Sequence, residues 1–335
     1  MFSKFMNRFY YGKSGKNDYT EADLPKNRRE LFSVTLRTRF GSLIVLNLVY
    51  MLFYLPMLFV IINAFMSWVA YMYNFASAAK GMSDVGLATL SARLKDYQQA
   101  LIMSTLIKLI PCILITGPIS VGVAYDLRNW ARDEHAFMWS DLWDSIKENW
   151  KQALGISAIN SVMPLLIYIG FKFYGSLSKN NAIFLIPQVM LVMIGVMWLL
   201  ASSFFYYLIV TYKLKFFDVI RNGALLSIAR FPQGVLIKLI NMIPIFICLA
   251  ICYFGNVQIG VLIFILYYAV IGLCLTKFIN ASFANASFER FINPMIEGAR
   301  TDIGLRTKEY NDLEEEIEKS EDSENAAYID IDKEK

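Results

Sequence analysis

Long uncharged runs alternate with short charged ones along most of the chain. Gly41 to Ala79 holds no Asp, Glu, Lys or Arg, and the same is true of Gln152 to Gly170, Ala182 to Tyr212 and Asn241 to Thr276. A helix needs about 20 apolar residues to cross a hydrocarbon core. The runs therefore predict an all-α, polytopic transmembrane bundle of about six spans, near 41–65, 101–125, 152–174, 186–210, 233–254 and 257–278. The last uncharged run is divided at Gly255-Asn256, a turn-forming pair between two apolar blocks. Five of the spans carry a proline, at Pro56, Pro111, Pro164, Pro187 and Pro244. Membrane helices accept proline because neighbouring helices satisfy the carbonyl it frees, whereas in a water-soluble core helix it is costly.

Composition agrees with this pattern. With 56% apolar and 18% charged residues, the 335-residue chain is too apolar for an ordinary water-soluble domain. The basic residues are unevenly placed: nine Lys and Arg lie in residues 1–40, four follow the second span, four follow the fourth, and eight lie from Lys277 onward. By the positive-inside rule this puts both termini in the cytoplasm. The first 40 residues are charged and lack the apolar stretch and small-residue cleavage site of a signal peptide. Three parts are expected: a basic cytoplasmic arm (1–40), a transmembrane helical domain (41–300) and an acidic tail (301–335). In the arm, Phe2, Phe5, Met6 and Phe9 fall at the spacing of a short helix, which fits either a helix lying on an anionic leaflet or a frayed basic terminus. The tail holds 13 acidic and 5 basic residues with little apolar surface, which predicts disorder.

The segment "TGPISVGVAYDLRNWARDEHAFMWSDLWDSIKENW" (116–150) interrupts the apolar pattern. From Ser140 it reads as a helix, with Trp139, Trp143, Ile146 and Trp150 along one stripe and Asp141, Asp144, Lys147 and Glu148 on the other side. Two uses fit this pattern. Tryptophan favours the headgroup region, which makes the segment an interfacial anchor. Trp and Arg also dominate interface energetics, which makes Arg128, Trp139, Trp143, Lys147 and Trp150 candidate contacts for a cytoplasmic partner. His135, the only histidine, has no nucleophile signature beside it and reads as a helix-entry residue. A second basic amphipathic stretch, Lys213 to Pro232, places Phe217, Ile220, Leu225 and Ile228 among Lys215, Arg221 and Arg230. The recurrence of span, amphipathic stretch and span hints at two related halves.

Candidate chemistry is sparse. No phosphate-cradling loop or dinucleotide fingerprint occurs, no acid–base constellation suggests an enzyme, and nothing calls for a cofactor or points to nucleic acid. Cys248 and Cys252 stand one turn apart without a neighbouring His or acid, so packing is preferred to metal binding. Lys108 and Lys238 fall inside predicted spans within about two turns of an end, where snorkelling accounts for them. No acid lies within the spans, so no proton-relay carboxylate is expected. Asn47, Asn63, Asn160, Gln188 and Asn241 can line a polar pathway or join helices by hydrogen bonds; a transport pathway would rest on Asn47, Pro118, Asn160 and Gln188. The Asn280-Ala-Ser and Asn285-Ala-Ser sequons fall on the predicted cytoplasmic side and are read as fortuitous.

"LNLVYMLFYLP" (46–56), "TGPISVGVAYDLRNWARDEHAFMWSDLWDSIKENWKQAL" (116–154) and "INASFANASFERFINPMIEGA" (279–299) resemble the YesL-like family of bacterial multi-pass membrane proteins, which carry a domain of unknown function. The arm "YYGKSGKNDYTEADLPKNRRELF" (10–32) resembles its longer, Clostridia-type members. Pro56 and Pro118 stand far apart here, whereas their counterparts in shorter relatives lie close together, so the resemblance does not extend to the outer segment Met66 to Ala100. The resemblance implies a place in the membrane of Gram-positive bacteria and an association with carbohydrate uptake. It supplies no catalytic residues. Two functions are therefore expected: an accessory or regulatory component of a sugar ABC permease, or an autonomous channel or transporter for a small solute such as a sugar.

Overall fold

The computed structural model describes residues 24–299 and 301–306. The expected Phe2–Phe9 helix, and the acidic tail beyond residue 306, lie outside the described residues. The described chain is helical, with no strand among the described residues. We number its α-helices α1 (Arg28–Thr38), α2 (Phe40–Ala79), α3 (Asp84–Trp130), α4 (Met138–Leu177), α5 (Leu185–Ala201), α6 (Phe205–Thr211), α7 (Phe216–Ala229), α8 (Phe231–Phe254), α9 (Val257–Tyr267) and α10 (Leu273–Phe291). Among the described residues six helical segments are long and apolar enough to cross a membrane: Phe40–Ala79, Asp84–Trp130, Met138–Leu177, Ala182–Ala201, Phe231–Phe254 and Val257–Met295. The protein is a multi-pass membrane protein with the six spans the uncharged runs predict.

Exposure supports the same conclusion. Leu48, Leu52, Leu55 and Phe59 on α2, Val189, Met190, Met193 and Ile194 on α5, and Phe246, Ile247 and Leu249 on α8 all lie on the outer surface. Apolar surface this continuous needs lipid around it. The well-packed core lies toward the end of the bundle where both ends of the described chain meet, here called the base. Leu43, Leu46 and Tyr50 of α2, Val121 to Trp130 of α3, Phe204 to Ile209, and Phe278 to Phe288 of α10 form one buried cluster there.

Several helices exceed the bilayer. At 1.5 Å per residue α2 and α3 are roughly 60 and 70 Å long, against a core of about 30 Å. The outer segment 66–100 is therefore a helical hairpin turning at Lys80–Ser83, not a loop. Tyr71 stacks on Tyr97 at 3.9 Å within it, and Ser83 caps α3 through the Gly86 amide. The tryptophan segment likewise belongs to one continuous helix with the third span, α4. The predicted fourth span, by contrast, is interrupted: α5 ends at Ala201 and α6 begins at Phe205.

The most extensive helix contact joins α3 to α4, and glycine makes it. A Cβ on Gly117 would stand 2.8 Å from the Ala153 carbonyl oxygen, and one on Gly122 would stand 2.7 Å from that of Leu142. Such close approach brings the Ser157 hydroxyl to 3.1 Å from the Leu114 carbonyl. Leu114 lies four residues before Pro118, so its carbonyl is the one that the proline leaves without an intrahelical donor. Pro118 thus belongs to this packing contact.

Asn47 has a related task. α9 and α10 are joined through a π-turn, Tyr268–Gly272, which disturbs the regular ladder. The buried Asn47 amide donates to the carbonyls of Tyr268 (3.0 Å) and Ala269 (2.7 Å), and its oxygen accepts from the Cys274 amide (2.9 Å). Both polar atoms of Asn47 are engaged at the break and its side chain is fully buried, so Asn47 latches α2 to α10.

The arm and the tail both contribute to the base. Asn27 caps α1 by accepting from the Arg29 and Glu30 amides. Leu31 and Thr35 are buried, Phe32 stacks on Phe278 at 5.0 Å, and Arg28 pairs with Glu289. Arg306 donates to the carbonyls of Leu24 and Pro25. Residues 28–38 and 301–306 are therefore packed parts of the helical body, on either side of the boundaries expected from charge alone. α3 ends in a Schellman arrangement, with Asp133 in the left-handed region (φ 55°) and the Glu134 amide donating to the Asn129 carbonyl. Tyr212 closes the base: its phenol donates to Asn293 Oδ1 at 2.6 Å. Burial pushes that phenol up to about 12, although the Arg128 and Arg132 guanidiniums pull the other way, so it remains a donor at neutral pH.

The two helix contacts give two expected outcomes in thermal unfolding of the purified protein in detergent. Gly122→Leu should destabilise by about 1–3 kcal/mol through overpacking of α3 on α4. Asn47→Leu should cost on the order of 1–3 kcal/mol, because it strands buried backbone groups around Tyr268–Cys274. An unchanged midpoint in either variant would show that the contact is dispensable.

Candidate functional site

A cavity of about 690 Å³ opens inside the bundle, within the size range of small-molecule sites. Its walls come from Leu106, Ile113, Thr116 and Ser120 of α3, Asn160, Met163, Ile167, Tyr168 and Phe171 of α4, Trp198 and Leu199 of α5, and Tyr54 of α2. Ser202 in the α5–α6 break, Tyr206 of α6, Lys238 of α8, and Lys277 and Asn280 of α10 complete the lining. α5 stops at Ala201, and Ser202 in the turn that follows and Tyr206 in the first turn of α6 both face the cavity.

The polar lining is ordered. Trp198 Nε1 donates to Asn160 Oδ1 at 2.9 Å, which fixes the indole against the α4 wall. The hydroxyls of Tyr54, Tyr50 and Ser120 form a chain, with 2.9 Å between the tyrosines and 2.7 Å from Tyr50 to Ser120. Asn241 Nδ2 donates to Asn280 Oδ1 at 3.1 Å, joining α8 to α10 at the floor. The Lys277 ammonium lies 4.8 Å from the centre of the Tyr206 ring. The Tyr168 hydroxyl, in the wall, has no hydrogen-bond partner among the described residues. Amides, an indole, phenols and two ammonium groups can hold a small polar molecule by hydrogen bonds and ring faces.

Of the four residues on which a pathway was expected to rest, Asn160 lines this cavity. Asn47 and Pro118 serve the packing contacts described above. Gln188 lies between α5 and α4, with Nε2 3.4 Å from the Phe171 carbonyl, outside the lining. Lys238, read from the sequence as snorkelling to a helix end, is part of the cavity lining. A signal that could have found it and Lys277 is a repeated tetrapeptide: "KLIN" (238–241) and "KFIN" (277–280) each set a lysine three residues before an asparagine. Both sequon asparagines are buried, Asn280 against Asn241 and Asn285 against the Arg128 carbonyl, which removes them as glycosylation sites.

An acid also lies in the interior, contrary to expectation. Asp126, one residue beyond the second predicted span, is fully buried in α3, and neither carboxylate oxygen has a partner among the described residues. The uncharged-run criterion ended the span one residue too early to include it.

The proposed partner contacts separate into two groups. Trp139, Trp143 and Trp150 are about half exposed on one side of α4, with Lys147 beside them pairing with Asp144 at 3.2 Å. Ile146, expected in the same stripe, packs against Gly122 of α3. Arg128 is not on that face: its side chain is 15% exposed and held by Asn129 and Glu134. In α7 the buried stripe is Val219, Gly223 and Leu226, while Phe217, Leu225 and Ile228 point outward. Gly223 decides this, since a Cβ there would stand 2.5 Å from the Phe205 ring. His135 is exposed in the loop between α3 and α4, edge-on to Phe137. A second, more polar cleft of about 580 Å³ lies between the start of α4 and residues 211–215, lined by Asp141, Asp144 and Glu148 opposite Lys213 and Lys215.

No family model, curated protein or solved structure matches the chain.

The cavity is testable by cysteine access. In a background without the native cysteines, Ser202→Cys and Asn160→Cys should react with a small water-soluble thiol reagent at least about tenfold faster than Asn47→Cys, since modification follows exposure. Equal rates at the three positions would mean that the cavity is closed to water.

Proposed function

We propose that this protein binds a small polar solute in the α3–α4–α5–α10 cavity and passes it across the membrane in carbohydrate uptake. The observation that carries the reading is a solute-sized cavity inside a lipid-facing bundle, lined by fixed amide, indole and phenol groups. Asn160, Trp198, Tyr54 and Tyr206 offer the hydrogen bonds and ring faces that a compact polyhydroxylated molecule uses. The interruptions at 202–204 and 268–272 fit the broken helices that serve binding in transporter folds. The resemblance to the YesL-like family supports the carbohydrate context, and the distribution of Lys and Arg supports a cytoplasmic base. This reading needs no covalent chemistry from the protein.

A second reading is favoured by the exposed tryptophans. Trp139, Trp143 and Trp150 on one face of α4, with Phe217 of α7 also exposed, suit either the headgroup layer or the flank of a sugar ABC permease to which this chain is accessory.

Vesicles containing only the purified protein separate the two readings. Time-dependent sugar uptake that Ser202→Trp blocks, with insertion unchanged, is the result expected of a transporter. No uptake across a panel of sugars, together with co-purification of a permease that is lost on replacing the three tryptophans by alanine, would transfer the function to the accessory reading.

A further inference from the structure

We infer that Lys238 and Lys277 form an oxyanion site at the floor of the cavity, so that the molecule held there carries a phosphate or carboxylate group. The inference rests on the reading of the cavity as a binding site and adds the charge of its occupant.

Three observations converge on it. Both lysines line the cavity, and no Asp or Glu lines it with them. Neither lysine has an ion-pair partner among the described residues. Uncompensated cations inside a membrane bundle are costly and characteristically mark ion or substrate sites. The Tyr168 hydroxyl, also in the lining, has no hydrogen-bond partner among the described residues and can donate. The site therefore offers surplus donors and positive charge, the complement of an oxyanion.

The helix geometry explains how two lysines from different helices reach one place. α8 and α10 run antiparallel and are fixed to each other by the Asn241–Asn280 bond. Each lysine precedes its asparagine by three residues, so the Lys238 backbone lies about 4.5 Å to one side of that bond along the axis and the Lys277 backbone a similar distance to the other. Flexible side chains from both sides then serve the same cavity. Lys277 stays over the Tyr206 ring, a contact that holds an ammonium in place without neutralising it. The apolar upper walls, with Leu106, Met163 and Phe171, would accept either the carbon skeleton of a free solute or the chain of an anionic lipid.

The test uses the full-length protein in nanodiscs of zwitterionic lipid, with Trp fluorescence and thermal unfolding as readouts. The probes are glucose 6-phosphate, glucose, and sulfate as competitor at matched ionic strength, with phosphatidylglycerol added in a separate arm. Binding of glucose 6-phosphate but not glucose, displaced by sulfate and weakened about tenfold or more by Lys238→Met or Lys277→Met, is the result expected for a free anionic solute. Retention of phosphatidylglycerol, seen by native mass spectrometry and lost in the same variants, supports the oxyanion site with a lipid as its source. Arg substitutions at both positions should keep binding, and the sulfate competition needs no variant at all should the Met forms fail to fold. Equal binding of glucose and glucose 6-phosphate, insensitive to sulfate, would overturn the oxyanion site while leaving the solute cavity in place. Binding of none of the probes would overturn both.

Discussion

Inside a bilayer every backbone amide and carbonyl must find its partner within the protein, and the way this chain meets that demand at its helix breaks determines the rest of its architecture. Where the ladder is regular, the helices need nothing from each other. Where Pro118 removes a donor, the Leu114 carbonyl requires one from outside, and Ser157 can approach because Gly117 and Gly122 let α4 lie directly on α3. Where the π-turn disturbs α9 and α10, Asn47 supplies two donors and an acceptor from α2. The breaks are thus the places where α2, α3, α4 and α10 become mutually dependent, and the buried core collects around them.

This also explains the uneven packing. The base unites both ends of the described chain, the α3–α4 turn and α6 in one apolar cluster. Beyond it the helices present leucine, methionine and phenylalanine outward, and lipid completes their contacts. The cavity lies between these regimes, with its floor in the packed part among Lys277, Asn280 and Tyr206 and its walls rising along α3, α4 and α5. The polar space thus lies where close packing at the base gives way to lipid-facing helices.

Much of the fold was legible in the sequence because the controlling physics is one-dimensional. Twenty or so uncharged residues report a span whatever they pack against, so six were found and Gly255-Asn256 was correctly placed as a turn. Contacts between helices were not legible in that way. Asn47 and Asn160 look alike in sequence, yet one is consumed by a distant π-turn and the other faces the cavity. Phe217 and Val219 both suit an amphipathic helix, and the choice of buried face depends on Phe205 approaching Gly223. Arg128 stands beside the tryptophan segment in sequence but is drawn into the base by Asn129 and Glu134. Asp126 was missed because the second span was closed at Tyr125, one residue before it, where the apolar run gives way to the charged segment. The paired lysines had a readable signal, the repeated Lys-x-Ile-Asn, but its meaning required knowing that α8 and α10 are antiparallel neighbours.

The positions of the breaks constrain how the molecule can change shape. The gap at Ser202–Phe204 separates α5 from α6, and the π-turn at 268–272 separates α9 from α10. In both cases the piece toward the base, α6 or α10, belongs to the buried cluster, and the piece beyond the break is largely lipid-facing. Displacing α5 or α9 therefore disturbs few buried contacts, whereas displacing α6 or α10 disturbs the core. Regions with few buried contacts open at the lowest free energy. α5, which carries Trp198 and Leu199 in one wall of the cavity, is nevertheless held to α4 by the Trp198–Asn160 bond and by close packing at Gly170 and Gly195. The floor of the cavity rests on α10 and the Asn241–Asn280 bond, on the packed side of both breaks.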